Sequence, residues 1–190
     1  EEMIQEMEKD VKRLELIAER FSKIGSAPEL KVQNVDDIVA NVADYFDRRT
    51  SSRVHISVGL ASTPVFAMVN APLFEWVIEN ICKNAIDAMQ GIGSLTLQVH
   101  PFAFVKHGNP YVRLTITDTG KGIPRNRFKA VFKPGFTTKK RGWGLGLSLA
   151  KRIVEEYHHG SIYVQSSQVN KGTTFAIELR QIRKENREKV

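Results

Sequence analysis

Apolar residues recur at two different periods along this chain, and the switches between them mark out its elements. Met3, Met7, Leu14, Ile17, Phe21 and Ile24 stand three, four or seven residues apart, a stripe that predicts one long helix in need of a partner surface, such as half of a helical hairpin. Gly25 and Pro28 stop it. Ile38, Val39, Val42, Tyr45 and Phe46 predict a second amphipathic helix over 35–48 with these residues turned inward, capped by Asn34 or Asp36. From Val54 to Leu60 the pattern alternates, as in a strand with His55 on its solvated side. Helical spacing returns after Pro72, with Phe74, Ile78, Ile81, Ala85 and Ala88 on the apolar face, and runs to about Gln90 before Gly91 and Gly93 end it. A strand begins at Leu95 to Val99, KHGNP (106–110) reads as a hairpin turn, and Tyr111 to Thr117 returns. Leu147, Leu149, Ile153, Val154 and Tyr157 form a last helix, stopped at His158, His159 and Gly160, where cations suit the helix dipole. Ile162 to Ser166 and Thr173 to Leu179 then pair as a closing hairpin.

Polar residues in three places go beyond what packing asks. Asp118 ends the strand from Val112 to Thr117, and Gly120 and Gly122 remove side chains beside it, which permits a backbone to pass close to a flat ligand. Gly142, Gly144 and Gly146 precede the last helix, where free amides are able to cradle phosphate. On the helix after Pro72, Asn80, Asn84 and Asp87 stack at i, i+4 and i+7 with Lys83 beside them. That column suits a hydrated cation against triphosphate oxygens, since magnesium keeps most of its waters and needs one or two protein oxygens. Asn84 suffices as the direct ligand, with Asn80 assisting; read alone, the same column is a plain wet helix face. One acceptor for a base and one nest for phosphates suggest a nucleotide site. Between them, 124–141 has the length and polarity of a lid, with Phe128, Val131, Phe132 and Phe136 pointing to a short helix packed on the core or to a docking surface.

Composition narrows the class. The 190 residues suit one domain plus an appendage, and 42% hydrophobic with 26% charged is ordinary for a soluble protein. No apolar run approaches membrane-spanning length and no signal-peptide pattern opens the chain, so a cytoplasmic location is expected, with any membrane anchor in a region not present here. A lone Cys82 excludes an internal disulfide framework. The net charge of +7 is local: Lys133, Lys139, Lys140 and Arg141 flank the phosphate nest, and Arg180, Arg183, Lys184, Arg187 and Lys189 crowd the tail. No platform of interleaved aromatic and basic residues is present, so nucleic acid is not an expected partner.

Taken in order, Asn80, Lys83, Asn84 and Asp87, then DTGKGI, FKPGFTTK and GWGLGL resemble the N, G1, F and G2 boxes of sensor histidine kinases, which belong to the ATPase superfamily of gyrases, heat-shock chaperones and mismatch-repair ATPases. The resemblance covers roughly 70–180. RFSKIGSAPEL (20–30) is similar to the end of the second dimerisation helix of those kinases and its linker. The resemblance implies an α+β fold: a two-layer α/β sandwich with a mixed sheet, of the Bergerat ATP-binding type, preceded by one long helix from a dimerisation hairpin. It divides the chain into 1–27 (dimerisation helix and linker), 28–180 (catalytic ATP-binding domain) and 181–190 (charged tail).

It also implies roles. Asp118 accepts the adenine amino hydrogen, beside Gly120, Gly122 and Ile123. Asn84 and Asn80 hold Mg2+, flanked by Lys83 and Asp87. Thr137, Thr138 and Lys139 belong to the lid, with Lys139 on the phosphates. Gly142, Trp143, Gly144, Leu145, Gly146 and Leu147 supply the amide cradle, and Thr173 or Thr174 lies near the adenine. Asn80 and Lys139 are the expected catalytic pair. The lid departs from the usual form, with Lys133 and Gly135 where an acidic residue and a second aromatic commonly stand. Hydrolytic relatives carry a glutamate four residues before the magnesium asparagine; Asn80 stands there, and an amide is no general base. Glu79 lies roughly 100° around the helix.

Transfer of the γ-phosphate to a protein group is therefore expected over hydrolysis. The expected acceptor is a histidine on the kinase's own dimerisation helix, then a response regulator, within a homodimer. None of His55, His100, His107, His158 and His159 sits as that acceptor should, so ATP binding without autophosphorylation is expected of this stretch. A serine-directed kinase of the same fold, of the anti-sigma or mitochondrial dehydrogenase kinase type, and a non-catalytic ATP-sensing module are the alternatives.

Overall fold

The computed structural model describes residues 28–138 and 144–182. The predicted helix over 1–24, Lys139, Gly142, Trp143 and the tail from 183 lie outside them. Strand β1 (Lys31–Asn34) leads into helix α1 (Val35–Asp47), followed by β2 (Val54–Gly59), β3 (Phe66–Val69) and helix α2 (Ala71–Ala88). Then come β4 (Gly93–Lys106), β5 (Asn109–Asp118), two short 3-10 turns at Arg125–Arg127 and Ala130–Phe132, helix α3 (Gly146–Arg152), β6 (Ser161–Gln168) and β7 (Gly172–Ile182). The seven strands make one sheet in the order β1-β3-β7-β5-β4-β2, with β6 also paired to β7. Only β2 and β4 run parallel, so the sheet is mixed, as expected.

Side-chain alternation explains the two layers. On β5, Val112, Leu114 and Ile116 are fully buried and face the helices, together with Leu95, Leu97 and Val99 of β4 and Phe175, Ile177 and Leu179 of β7. Phe74, Ile78, Ile81 and Ala85 of α2 and Val39 and Val42 of α1 cover them. A side chain of this size contributes roughly 1.5–3 kcal/mol when fully buried. The opposite face stays polar: Thr115 bonds His100 (3.0 Å), and Thr117 bonds Thr174 (3.0 Å).

Capping fixes the helix starts. Of the two candidate caps of α1, Asn34 is the one used, its Oδ1 accepting from the Asp36 amide at 3.1 Å. Asp36 is buried instead and accepts from the amides of Ala61 (3.0 Å) and Val65 (2.9 Å), which pins the β2–β3 connection to α1. Asn70 caps α2 through Leu73 N, so the helix opens at Ala71, one step before the expected opening at Pro72. Hairpin geometry at KHGNP is as expected, with φ of +49° at His107 and +75° at Gly108, the two left-handed positions of a type I′ turn.

Four expectations change. Tyr45 is 45% exposed rather than turned inward. His100, whose place near the KHGNP turn predicts an exposed loop residue, belongs instead to β4. β7 runs to Ile182, and Gln181, placed by sequence in the charged tail, is buried and accepts from Phe102 N at 2.8 Å. The last helix has only seven α residues before it widens into a π turn over Ile153–Tyr157. That turn brings the Ile153 carbonyl to His158, whose Nδ1 donates to it at 2.8 Å while Nε2 accepts from Asn70 N at 3.0 Å. His158 is therefore a neutral buried bridge to the start of α2, not a cation on the helix dipole. Among the described residues no helix is long and apolar enough to cross a membrane.

Candidate nucleotide-binding site

Asp118 occupies the last helix-facing position of β5, one step beyond the apolar run of Val112, Leu114 and Ile116. Alternation that buries those three therefore buries a carboxylate as well, and it is 4% exposed. Gly120 N donates to its Oδ1 at 2.7 Å, and the Thr173 amide also bonds it. Burial pushes its pKa above the ordinary 3.8, and the two amide bonds oppose that rise. A buried carboxylate is tolerated when something gives it hydrogen bonds, and two amides leave lone pairs to spare.

These lone pairs open on a cavity of about 1290 Å³. Its lining joins Asp118, Gly122, Ile123 and Thr173 at one end to Asn80, Lys83, Asn84 and Asp87 along α2, and then to Thr137, Thr138, Gly144, Leu145, Gly146 and Leu147. Gly120 and Thr174 are not in it. A Cβ at Gly120 would lie 2.7 Å from the Ala88 backbone, so this glycine admits the end of α2 rather than a ligand. Lys121 N completes that contact by donating to Ala88 O at 3.1 Å. Gly122, at φ +70°, would likewise meet the backbone of Gln168 and Val169 in the β6–β7 turn. Register decides between the two threonines: Thr173 pairs with Asp118 and shares its face, while Thr174 turns to the outer face and Thr117.

At the other end, Asn80 Nδ2 is buried with no hydrogen-bond partner. Leaving such a donor unpaired costs about 1–3 kcal/mol, an arrangement that a ligand oxygen relieves. Gly146 sits against this amide, and any side chain there would overlap it. Helix α3 starts beside it without a side-chain cap, and its first amides have no intrahelical partner. Gly144, at φ +64°, folds onto Gly135 and Phe136, with Gly135 N donating to Gly144 O at 3.0 Å. Val131 and Phe132 are buried and Phe128 and Phe136 half-buried against the core, which favours the first of the two readings of 124–141, a short helix packed on the core. Lys121 Nζ reaches Thr138 Oγ1 at 3.0 Å and links the Asp118 loop to that segment.

Sequence reasoning missed a third wall. Tyr45, Phe46, Arg49, Thr50 and Ser51 at the end of α1 and Trp76 on α2 also line the cavity. Arg49 lies over the Tyr45 ring at 4.1 Å, a pair that the i, i+4 spacing made readable.

Acceptors at one end, open donors at the other and a mixed-sheet sandwich beneath define an ATP-binding domain. Residues 69–183 match the family of histidine kinase-, DNA gyrase B-, and HSP90-like ATPases, and the chain belongs to that family. It is similar to the sensor histidine kinase ZraS of Salmonella typhi, 31% identical over 180 residues that make up 93% of this chain and 37% of the relative. The chain thus spans little more than a third of that protein's length. The catalytic domain of histidine kinase ThkA has the same fold, with a TM-score of 0.68 at 24% identity over 80% of this chain and 95% of that one. Histidine kinase ThkA in complex with the response regulator TrrA superposes with a TM-score of 0.71 at 21% identity, over 92% of this chain and 49% of that one.

Proposed function

We propose that this chain is the ATP-binding catalytic part of a sensor histidine kinase, which transfers the γ-phosphate of ATP to a histidine on a dimerisation helix for relay to a response regulator. One observation carries the reading: Asp118 and the Asn80–Asn84 face of α2 line a single cavity, with an unpartnered amide donor where the phosphates would lie. Phosphoryl transfer asks a protein mainly for positioning and charge neutralisation. Asp118 takes the adenine amino hydrogen. Asn80 Nδ2, the first amides of α3 and Lys139 meet phosphate oxygens.

Among the described residues no cluster of three or more His, Cys, Asp or Glu is placed to hold a metal. A cation at this site must draw most of its ligands from phosphate and water, which is the habit of Mg2+. The amide oxygens of Asn84 and Asn80 are hard donors that fit it. Bound there, Mg2+ would neutralise charge on the triphosphate. The relative ThkA, captured with a response regulator, supports the relay; a cytoplasmic location and a homodimer of the intact kinase are part of the same proposal.

Position 80 favours transfer over hydrolysis, because an amide cannot activate water. Glu79 lines the cavity too, but on a different side of α2. The test supplies a dimerisation hairpin bearing the acceptor histidine and measures acid-labile, base-stable phosphate on it. Transfer to the hairpin with slow background hydrolysis is expected. Fast steady hydrolysis that Glu79→Gln abolishes, with no phosphate on the hairpin, would overturn the reading.

A further inference from the structure

The pairing register places three polar residues in one row across adjacent strands: Asp118 of β5 opposite Thr173 of β7, and Thr173 opposite Ser167 of β6. Asp118 and Thr173 line the nucleotide cavity; Ser167 stands behind them. With each close contact along this row made as a hydrogen bond, the hydrogens have one arrangement. Ser167 Oγ has one hydrogen and two lone pairs. It accepts from Ile123 N at 2.7 Å and donates to the carbonyl of Gly172 at 2.9 Å. Thr173 Oγ1 lies 2.9 Å from the same oxygen. The Ser167 hydrogen is already committed to a carbonyl, which has none to give, so the Thr173 hydroxyl must donate to Ser167. Its backbone N–H is committed as well, to the Asp118 carboxylate. Thr173 therefore turns both of its hydrogens away from the cavity and presents only oxygen lone pairs beside a carboxylate that also only accepts.

We propose that Ser167 is a positioning residue for base recognition: by taking up the Thr173 hydroxyl hydrogen it keeps the Thr173 oxygen an acceptor beside the Asp118 carboxylate, so that this end of the cavity takes the hydrogens of a 6-amino group and opposes a 6-keto oxygen. The inference rests on the reading that Asp118 meets the base. Ser167 touches no ligand; it sets which way a neighbouring hydroxyl points. Its acceptance from Ile123 N fixes the loop after Asp118 as well, so the same side chain orients both walls of the edge.

ATP and inosine triphosphate, which differ only in the 6-substituent and an N1 hydrogen, separate this role from a structural one. Calorimetric titration with Mg2+ present is made on the chain and on its Ser167→Ala, Ser167→Thr, Thr173→Val and Asp118→Asn variants, with thermal melts alongside. The original chain should prefer ATP. Ser167→Ala frees the Thr173 hydroxyl to turn toward a keto oxygen, and should shrink the ATP-over-inosine preference about tenfold, the worth of one hydrogen bond. Ser167→Thr keeps the hydroxyl and should keep the preference. In a Thr173→Val background, Ser167→Ala should change the preference no further, because the two act through one contact.

An unchanged ATP-over-inosine ratio in Ser167→Ala, whether both affinities fall equally or neither changes, overturns the proposal. If Ser167→Ala does not fold, Thr173→Val decides, and an unchanged preference there overturns it too. A chain that does not discriminate, with Asp118→Asn still binding ATP normally, removes the base-contact reading itself and this inference with it.

Discussion

Acidification should loosen this protein through a histidine far from any proton-transfer chemistry. His158 is buried between the end of the α3 turn and the start of α2, with Nδ1 donating to Ile153 O at 2.8 Å, Nε2 accepting from Asn70 N at 3.0 Å and the Phe74 ring 6.0 Å away. Burial lowers its pKa from the ordinary 6.5, and neighbouring His159 adds to that, while the bond to the Ile153 carbonyl counts against it. The Asn70 contact needs a lone pair on Nε2, and a proton there would set donor against donor. The sign follows directly. Below pH 6.5 the unfolded chain takes up a proton that the folded chain resists, so stability is complete above 6.5 and falls as pH drops toward the lowered folded pKa. The slope is at most about 1.4 kcal/mol per pH unit for one group.

Urea unfolding of the original chain and of His158→Gln at several pH values between 7.5 and 5 measures it. Gln should cost about 1 kcal/mol at pH 7.5 through the lost bond, and the two stability curves should converge on acidification. Because His158 joins the end of the α3 turn, the helix proposed to meet the phosphates, to the helix of Asn80 and Asn84, ATP affinity should weaken over the same range in the original chain. Parallel curves would show that His158 takes up its proton equally in the folded and unfolded states, and the bridge as drawn would be wrong.

Asp118→Asn should weaken ATP binding by about 2–3 kcal/mol, roughly 30- to 150-fold, since a charged acceptor becomes an amide that can turn a donor toward the adenine amino group. Its folded pKa is raised, so ionised Asp118 works against folding at neutral pH: its contribution is present below 3.8 and lost as pH rises through the folded pKa. Thermal melting at pH 7 should accordingly show no loss of stability in this variant, and a clear drop would contradict the assignment. Gly146→Ala should displace Asn80 and cost ATP about tenfold in affinity while adenosine binds as before, a split that calorimetry with both ligands reads; equal losses would place the defect elsewhere. Glu178, 9% exposed on the outer face, accepts from Arg113 (2.9 Å), Tyr163 (2.7 Å) and Ser161 (3.0 Å). Glu178→Ala should cost about 2–3 kcal/mol by urea unfolding with ATP affinity intact at saturating fold, because it strands three donors far from the cavity.

What could be read from sequence is what local period encodes. Alternation over Val112 to Thr117 predicted both the strand and the polar residue at its end, and the N-box column was legible because i, i+4 and i+7 always share a helix face. Pairing register joins strands distant in the chain and leaves no local trace, so Thr173 and Thr174 could not be told apart, and Ser167 had no signal at all. Gly120 was misread for a related reason. A glycine announces close approach but not what approaches, and here it is the end of α2. Tyr45 satisfied helical spacing yet faces outward, because Arg49 stacks on it and helix position alone does not say where the neighbouring layer ends. The π turn was equally silent: Ile153 and Val154 fit an α-helix, and the widening follows from His158 bonding the Ile153 carbonyl.

The groups that folding leaves unsatisfied in this cavity have a direction. A buried carboxylate and a threonine stripped of available hydrogens stand at one end, and an orphaned amide donor with an uncapped helix start stands at the other. Each is unfavourable alone, since a desolvated charge and an unpaired donor both oppose folding. Together they prescribe a ligand that donates hydrogens at one end and carries negative oxygens at the other. A 6-aminopurine triphosphate has that polarity, and an inorganic phosphate or a free base has only half of it. Neither half should bind well alone: triphosphate without base leaves the remaining Asp118 lone pairs unmet, and adenosine leaves Asn80 Nδ2 unpaired. Affinity for ATP should accordingly exceed what the separate pieces suggest, because linking them avoids a second loss of translational freedom.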